Sequence, residues 1–395
     1  MEVSTMTLPL SGITVIEFTH MVMGPAVGAI LSDLGADVIR IEPIGGDKTR
    51  KLTGSGAGYF PMFNRGKKSL CLNLKSEAGK TIALGLLKDA DVLIENFRPG
   101  AMDKLGFGYT DIHAHSPTLI YCSEKGFLSG PYEHRTALDE VTQMMGGLAY
   151  MTGLPGQPLR AGASVIDITG GMFGAIAILA ALQQRHVDGK GQHVKSALYE
   201  TTVYLVGQHM AQQSVTGTAA QPMPVRTSAW AIYQIFDTKD NDQIFVGIVS
   251  DAQWHTFCDA FDLKDLKINT DYATNNGRVA AKERLIPAVA AMFKSYDKSD
   301  LMEKLEHIGL PFAPVAKPSD LFDDPHLNAG GGLIDVTLPN GNAAKLPALP
   351  IEMDGHRLGA GSDLPKSGAD TDRLLKSLGY ASVDIEELKQ SGVIG

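Results

Sequence analysis

Apolar residues along this chain follow two rhythms that alternate over short intervals. Ile13–Phe18 is a short apolar run, Gly24-Pro25 opens a segment of helical period over Ala26–Leu34, and Asp37–Glu42 (DVIRIE) is extended again, closed by Pro43. The alternation continues with strand patterns at Ser69–Leu74, Val92–Glu95 and Leu119–Ser123 and a helix over Ala78–Lys88. An Ala/Gly-rich helix follows Asp167, then the turn Asp188-Gly-Lys-Gly, a strand at Gln192–Ser196 and a long helix at Leu198–Gln212. Strands that alternate with helices predict an α/β fold built on a mostly parallel, doubly wound sheet.

The rhythm changes after residue 214. Val215–Val225 is rich in Thr, Ala, Gly and Pro and reads as a linker. Beyond it, Ala229–Asp237 and Ile244–Ile248 read as paired strands around Lys239-Asp-Asn-Asp, with helices at 251–261, 278–296 and 298–307 and an exit at Gly330-Gly-Gly. The expected organisation is a large domain over 1–214, a linker over 215–227 and a smaller α+β domain over 228–330. Residues 331–395 then form a return linker and C-terminal segment whose strands and terminal helix (370–391) rejoin the large domain. A chain of 395 residues is long enough for two or three such domains.

Composition narrows the function classes. Net charge is −9 and no Lys/Arg run exceeds two residues, which argues against nucleic acid as a partner. The longest strongly apolar stretch, Gly170–Leu182, is 13 residues, against roughly 20 for a membrane span, so no membrane partner is expected. The N-terminal MEVSTMTLPLSG does not read as a secretory signal. Cys71, Cys122 and Cys258 are few and widely spaced, fitting a reducing cytoplasm better than a disulfide framework. Eleven histidines include no HExxH pair, so no metal site is expected.

Three places carry candidate chemistry. The first β-α-β outlines a nucleotide site, yet its turn reads Thr19-His-Met-Val-Met-Gly24-Pro25 without GxGxxG, and proline removes an N–H from any phosphate cradle. A plain structural unit is the competing reading, and His20 is equally a packed loop residue. Between 64 and 108, short basic stretches (Asn64-Arg-Gly-Lys-Lys, Leu72-Asn-Leu-Lys75, Glu95-Asn96-Phe97-Arg98, Lys104) fall on loops at strand ends. Phosphates favour Lys and Arg there, although each charge alone also suits a solvated loop. Finally, Asp167 stands between the small, mostly apolar approach Ala161–Ile166 and an Ala/Gly-rich helix. It reads either as a nucleophile or as the N-cap of that helix, with Gly170 and Gly171 offering backbone N–H groups nearby.

Taken together, LPLSGITVIEFTHMVMGPAVGAILSDLGADVIRIEP, MFNRGKKSLCLNLKSEAG, ENFRPGAMDKLGFGY and GASVIDITGGMFGAIAILAALQQRHVDGKGQHV resemble the class III (CaiB/BaiF-type) CoA-transferases, the group of formyl-CoA transferase and carnitine CoA-transferase. The resemblance runs through residues 8–210 and more weakly to the C-terminus. It implies an interlocked homodimer, each subunit with a Rossmann-like large domain and a small domain. It places the family's aspartate nucleophile at Asp167 and its CoA contacts at His20, Val22, Met23, Leu72, Lys75, Asn96, Phe97, Lys104, Leu105 and near Arg135. A basic residue that some members carry after the second strand is Pro43 here. The glycine run over the active site of formyl-CoA transferase has no counterpart in Gln221–Trp230.

The implied activity moves CoA from an acyl-CoA, with succinyl-CoA as the favoured donor, to a small carboxylic or dicarboxylic acid through an aspartyl-CoA thioester. Coenzyme A thioesters are then substrates, and no cofactor is permanently bound. Gly170 and Gly171 would stabilise oxyanions, while Asp139 or Glu140 would orient substrate or a catalytic loop, or simply start a helix. Arg135, Arg160 and Arg226 are candidates for a second carboxylate. The alternatives are a 2-methylacyl-CoA racemase or epimerase and a non-catalytic CoA-binding paralogue. The racemase branch carries a histidine where this chain has Leu138, which removes one of the two groups that two-base proton transfer needs.

Overall fold

A computed structural model describes residues 7–226, 228–338, 340–359 and 363–395. The N-terminal residues 1–6 and Thr227 of the expected linker lie outside the described residues. Two compact units emerge, one formed by 1–224 with 325–395 and the other by 225–324.

The first unit opens with β1 (Thr14–Phe18), α1 (Met23–Asp33), β2 (Asp37–Glu42), α2 (Tyr59–Asn64), β3 (Lys68–Cys71), α3 (Glu77–Lys88) and β4 (Val92–Glu95). It continues through α4 (Ala101–Leu105), α5 (Tyr109–His115), β5 (Ile120–Lys125), α6 (Asp139–Met145), α7 (Leu148–Thr152), α8 (Val165–Asp188), β6 (His193–Ala197) and α9 (Leu198–Thr216). The six strands are parallel in the order β3-β2-β1-β4-β5-β6, the order of dinucleotide-binding sheets. Alternate strand residues feed two cores. Ile16, Ile39, Leu70, Leu93 and Tyr121 pack under α3, α4 and α5, whereas Val15, Val38, Val92, Ile120 and Cys122 pack under α1 and α8.

The α1 face also buries charge. Arg40 Nη1 donates to Glu17 (3.0 Å), Thr19 (3.1 Å) and Asn64 (2.7 Å), and its Nη2 reaches Asp47. Lys67 Nζ donates to both Glu17 oxygens at 2.9 Å and to the Pro25 carbonyl. Burial pushes the Lys67 ammonium down to about 8 despite Glu17 beside it. Gly28 makes room for this layer, because a Cβ there would fall 1.9 Å from Glu17 Oε2. Removing one member would strand buried charge, which costs about 3–5 kcal/mol.

The second unit holds an antiparallel sheet of β7 (Tyr233–Asp237), β8 (Gln243–Gly247) and β9 (Phe312–Pro314), with β8 in the middle. It packs on α10 (Asp251–Ala260), α11 (Lys264–Ile268), α12 (Asn275–Ala280), α13 (Lys282–Phe293) and α14 (Lys298–His307) through Phe236, Ile244, Trp254, Phe257, Leu285 and Phe293. The third strand, only three residues long, carries too little pattern to be read from sequence.

The returning chain forms α15 (Pro325–Ala329), the hairpin β10–β11 (Leu333–Thr337, Ala343–Pro347), the pair β12–β13 (Glu352–Met353, His356–Arg357), α16 (Thr371–Ser377) and α17 (Ser382–Gln390). Its strands pair with one another and do not extend the parallel sheet, although the segment belongs to the first unit. The free edge of β3 is instead met by Asp370, whose carboxylate accepts from Ser69 N–H, and by a bridge between Leu72 and Ile394. The single terminal helix expected over 370–391 is two helices, because Gly379 at φ +93° turns the chain between them.

Helix α8 is 24 residues and apolar enough to meet the length and composition of a membrane span, more than its 13-residue apolar core suggested. It lies instead across the sheet against α1, β5 and β6. Beneath it, Glu124 is buried with Oε2 unpartnered, and Oε1 sits where a Cβ on Gly174 would be, at 2.1 Å. Burial pushes the Glu124 carboxyl from 4.5 up to about 8, with the neighbouring Glu95 charge acting in the same direction. The unfolded chain releases this proton near 4.5 and the folded one near 8, so the stabilising neutral form is complete below 4.5 and lost as pH rises through 8. Glu124→Gln, neutral at every pH, is expected to flatten this part of the decline in thermal midpoint between pH 5 and 8; an unchanged slope contradicts the assignment.

Candidate active site

A cavity of about 870 Å³ opens at the carboxyl ends of β1–β4, where strand order reverses and α/β sheets place their ligands. His20, Leu72, Lys75, Phe97 and Leu105, candidates for CoA contact, line it. Asn96 ties its two central loops together, accepting from His20 N–H (2.9 Å) and donating to the His20 carbonyl (2.8 Å), while the His20 ring stacks on Phe97 at 5.6 Å. Lys48 and Ile44 also line the cavity and were missed, being on the 3-10 turn and loop after β2 rather than at a strand tip. Their signal lay in Asp47-Lys-Thr-Arg50, where Asp47 accepts from Thr49 N–H and starts the turn. Lys48 and Lys75 bring ammonium groups to a largely apolar wall, a combination suited to a nucleotide carrying phosphates.

The other expected CoA residues are placed differently. Val22 and Met23 are buried at the start of α1, Val22 against Phe63 and Ile168 and Met23 against Ile166 and Leu198. Lys104 and Arg135 are exposed and do not line the cavity; the Arg135 guanidinium lies over Tyr132, 5.1 Å from the ring centroid. Among the candidate arginines for a second carboxylate, Arg160 is paired with Glu140 at 2.8 Å. Arg226 belongs to the second unit.

Asp167 is the third residue of α8, and Ser164 occupies the N-cap position without a side-chain cap bond. The cap is supplied from another helix. Asp139, at the start of α6 and 4 % exposed, accepts from Ile166 N–H (2.8 Å) and Asp167 N–H (3.2 Å) through Oδ2, and from Gln143 Nε2 through Oδ1. Asp139 therefore performs the capping that was one of the two roles open to Asp167. The Asp167 side chain, partly buried, makes no hydrogen bond or ion pair with the described residues. Its carboxyl is pushed from 3.8 up to about 7, chiefly by burial, then by the charges of Asp139 and Glu140. A carboxylate so raised and without a side-chain partner among the described residues has the character a nucleophile needs.

The expected oxyanion role of Gly170 and Gly171 does not fit. They are the sixth and seventh residues of α8, past its free first turn, so their N–H groups belong to the helix's own ladder. Both are buried, and their missing side chains serve packing: a Cβ on Gly170 would lie 2.6 Å from Met23 Cε, and one on Gly171 2.8 Å from the Met23 carbonyl oxygen. They let α8 lie directly on α1 behind the cavity loop.

The family model described as CoA-transferase family III matches residues 10–371. The chain belongs to that family. It is 31 % identical over 394 residues to succinyl-CoA:glutarate CoA-transferase of Mus musculus, covering 98 % of this chain and 90 % of that protein. It is 33 % identical over 355 residues to acetyl-CoA:oxalate CoA-transferase of Acetobacter aceti, covering 88 % and 90 %. A crystal structure of a CaiB/BaiF family protein from Brucella suis superposes with TM-score 0.82 at 33 % identity over 94 % of this chain and all of that one. This enzyme is thus a class III CoA-transferase by family.

In this CoA-transferase, Leu138 is 60 % exposed at the N-terminus of α6, immediately before the capping Asp139. A hydrocarbon there cannot exchange protons. If Asp167 attacks as its anion, the rate of its reaction with acyl-CoA rises with pH through about 7. Asp139→Asn removes one of the two charges that raise it and is expected to move that inflection to lower pH. An inflection that stays in place excludes the Asp139 charge as a cause.

Proposed function

We propose that this CoA-transferase moves CoA from an acyl-CoA, with succinyl-CoA the favoured donor, to a small dicarboxylic acid, using Asp167 as the covalent nucleophile. The observation that carries the reading is the unpaired, partly buried Asp167 carboxylate on α8, beside a first turn already capped by Asp139. One Asp167 oxygen attacks the thioester carbonyl, breaking the C–S bond to give a mixed anhydride and CoA thiolate. The thiolate attacks the aspartyl carbonyl, releasing the donor carboxylate and forming aspartyl-CoA. An acceptor carboxylate displaces the thiolate to form a second mixed anhydride. The thiolate then attacks the acceptor acyl carbon and regenerates Asp167. No water enters the sequence, so the free energy of the thioester is retained. Oxalate and glutarate in the names of the relatives support a dicarboxylate as acceptor.

A homodimer is part of the same proposal. Met172, Ile176 and Leu179 lie at spacings of four and three along α8 and remain exposed, as do Tyr204 and Met210 on α9. Large apolar side chains left exposed on two neighbouring helices suit a second copy of the chain.

The test is a chromatographic assay of new acyl-CoA with succinyl-CoA as donor and a panel of mono- and dicarboxylic acids, on protein whose mass in solution is measured by sedimentation. Expected are a two-chain mass, turnover with dicarboxylates, and a loss on the order of a thousandfold or more in Asp167→Ala. Turnover that survives Asp167→Ala removes the nucleophile. Exchange of the α-hydrogen for deuterium without any acceptor acid points to the racemase reading, and CoA binding without turnover to the non-catalytic one.

A further inference from the structure

Gln143 was not singled out in the sequence, yet its side chain joins the segments on which Asp167 depends. It lies on the second turn of α6 and is fully buried. Its Nε2 donates to Asp139 Oδ1, and its Oε1 accepts from Ala161 N–H at 2.8 Å. The neighbours fix the orientation of this amide. Only its NH2 end can face a carboxylate, and only its oxygen can receive the backbone N–H.

We infer that Gln143 is a positioning residue for the Asp167 nucleophile, a buried amide strut that holds Asp139 against the first turn of α8 and anchors the 161–164 approach to that helix. The inference rests on the reading of Asp167 as nucleophile. Asp139 Oδ2 holds the N–H groups of Ile166 and Asp167, and Oδ1 is held in turn by Gln143. One side chain therefore sets both where the Asp139 charge sits and where α8 begins. The charged groups around Asp167 are Asp139 and Glu140 of α6, with Glu140 paired to Arg160. Of these, Asp139 is the one that touches the Asp167 backbone.

The strut makes a claim that simple space-filling does not. Gln143→Glu conserves shape. While the substituted carboxyl is protonated, its O–H donates to Asp139 and its C=O accepts from Ala161, reproducing the native pattern. Once ionised, it faces Asp139 with like charge and no donor. Gln143→Met conserves length but supplies neither bond at any pH.

The experiment measures kcat and KM for each variant relative to the native enzyme from pH 6 to 8.5, using succinyl-CoA and the acid that the panel above shows to be accepted. Gln143→Glu is expected within about threefold of native kcat at pH 6 and reduced by about tenfold or more at pH 8.5, the size that follows when a buried polar group loses its partner. Gln143→Met is expected to lose about tenfold in kcat at every pH, with KM for the acyl-CoA changed less than about twofold. A Gln143→Glu enzyme that tracks the native one at all pH values, or is equally impaired at both ends, overturns the strut. Asp167→Ala in the same assay keeps the two ideas apart. Activity in that variant defeats the nucleophile reading, whereas its loss beside a native-like Gln143→Glu profile defeats the strut alone.

Discussion

The contact on which the site depends is a cap made from a distance: the Asp139 carboxylate of α6 holding the first N–H groups of α8. A helix N-terminus favours an anion, and an aspartate in its first turn would ordinarily take that place itself. Here the place is filled, so Asp167 keeps a carboxylate without a donor and feels the neighbouring negative charge. Such a carboxylate is less stabilised as an anion and correspondingly more ready to form a bond to carbon. The cap and a carboxylate left without a donor among the described residues, which compete for one residue in the sequence, are thus divided between two.

The rest of the first unit supports that arrangement by close approach and buried charge. Gly170, Gly171 and Gly174 bring α8 down onto Met23, Ala26 and Glu124. Gly28 brings α1 down onto Glu17, whose carboxylate joins the buried layer with Arg40 and Lys67. From that layer Thr19 and Asp47 reach the cavity wall. The loop from Thr19 to Val22 therefore links an ionic base, a cavity with two ammonium groups and the packing surface of α8. Rigid elements, rather than a flexible loop, fix Asp167, as the proposed covalent catalysis through a short side chain requires.

Much of this arrangement is legible in the sequence alone. Strand-helix alternation in the first 125 residues is a local signal, and it foretold the parallel sheet because each strand is buried on both faces. The cavity residues His20, Leu72, Lys75, Phe97 and Leu105 sit on loops at strand ends, where an α/β sheet must place them. What could not be read depends on contacts distant in sequence. Asp139 and Asp167 are 28 residues apart, and nothing in either segment says which one caps α8. Gly170 and Gly171 looked like donors because their helix start was read too late; the helix begins at Val165, and the glycines answer to α1 instead. Gln143 gave no signal, since a glutamine in an apolar helix has meaning only once its partners are known.

Covalent activation of Asp167 by acyl-CoA is tested most directly by peptide mass spectrometry of the enzyme quenched with hydroxylamine during turnover. An aspartyl thioester is captured as a hydroxamate. That mass shift is expected at Asp167, dependent on acyl-CoA and absent when free CoA replaces it. Turnover with Asp167 unmodified, or the same mass shift at another carboxylate, would contradict it.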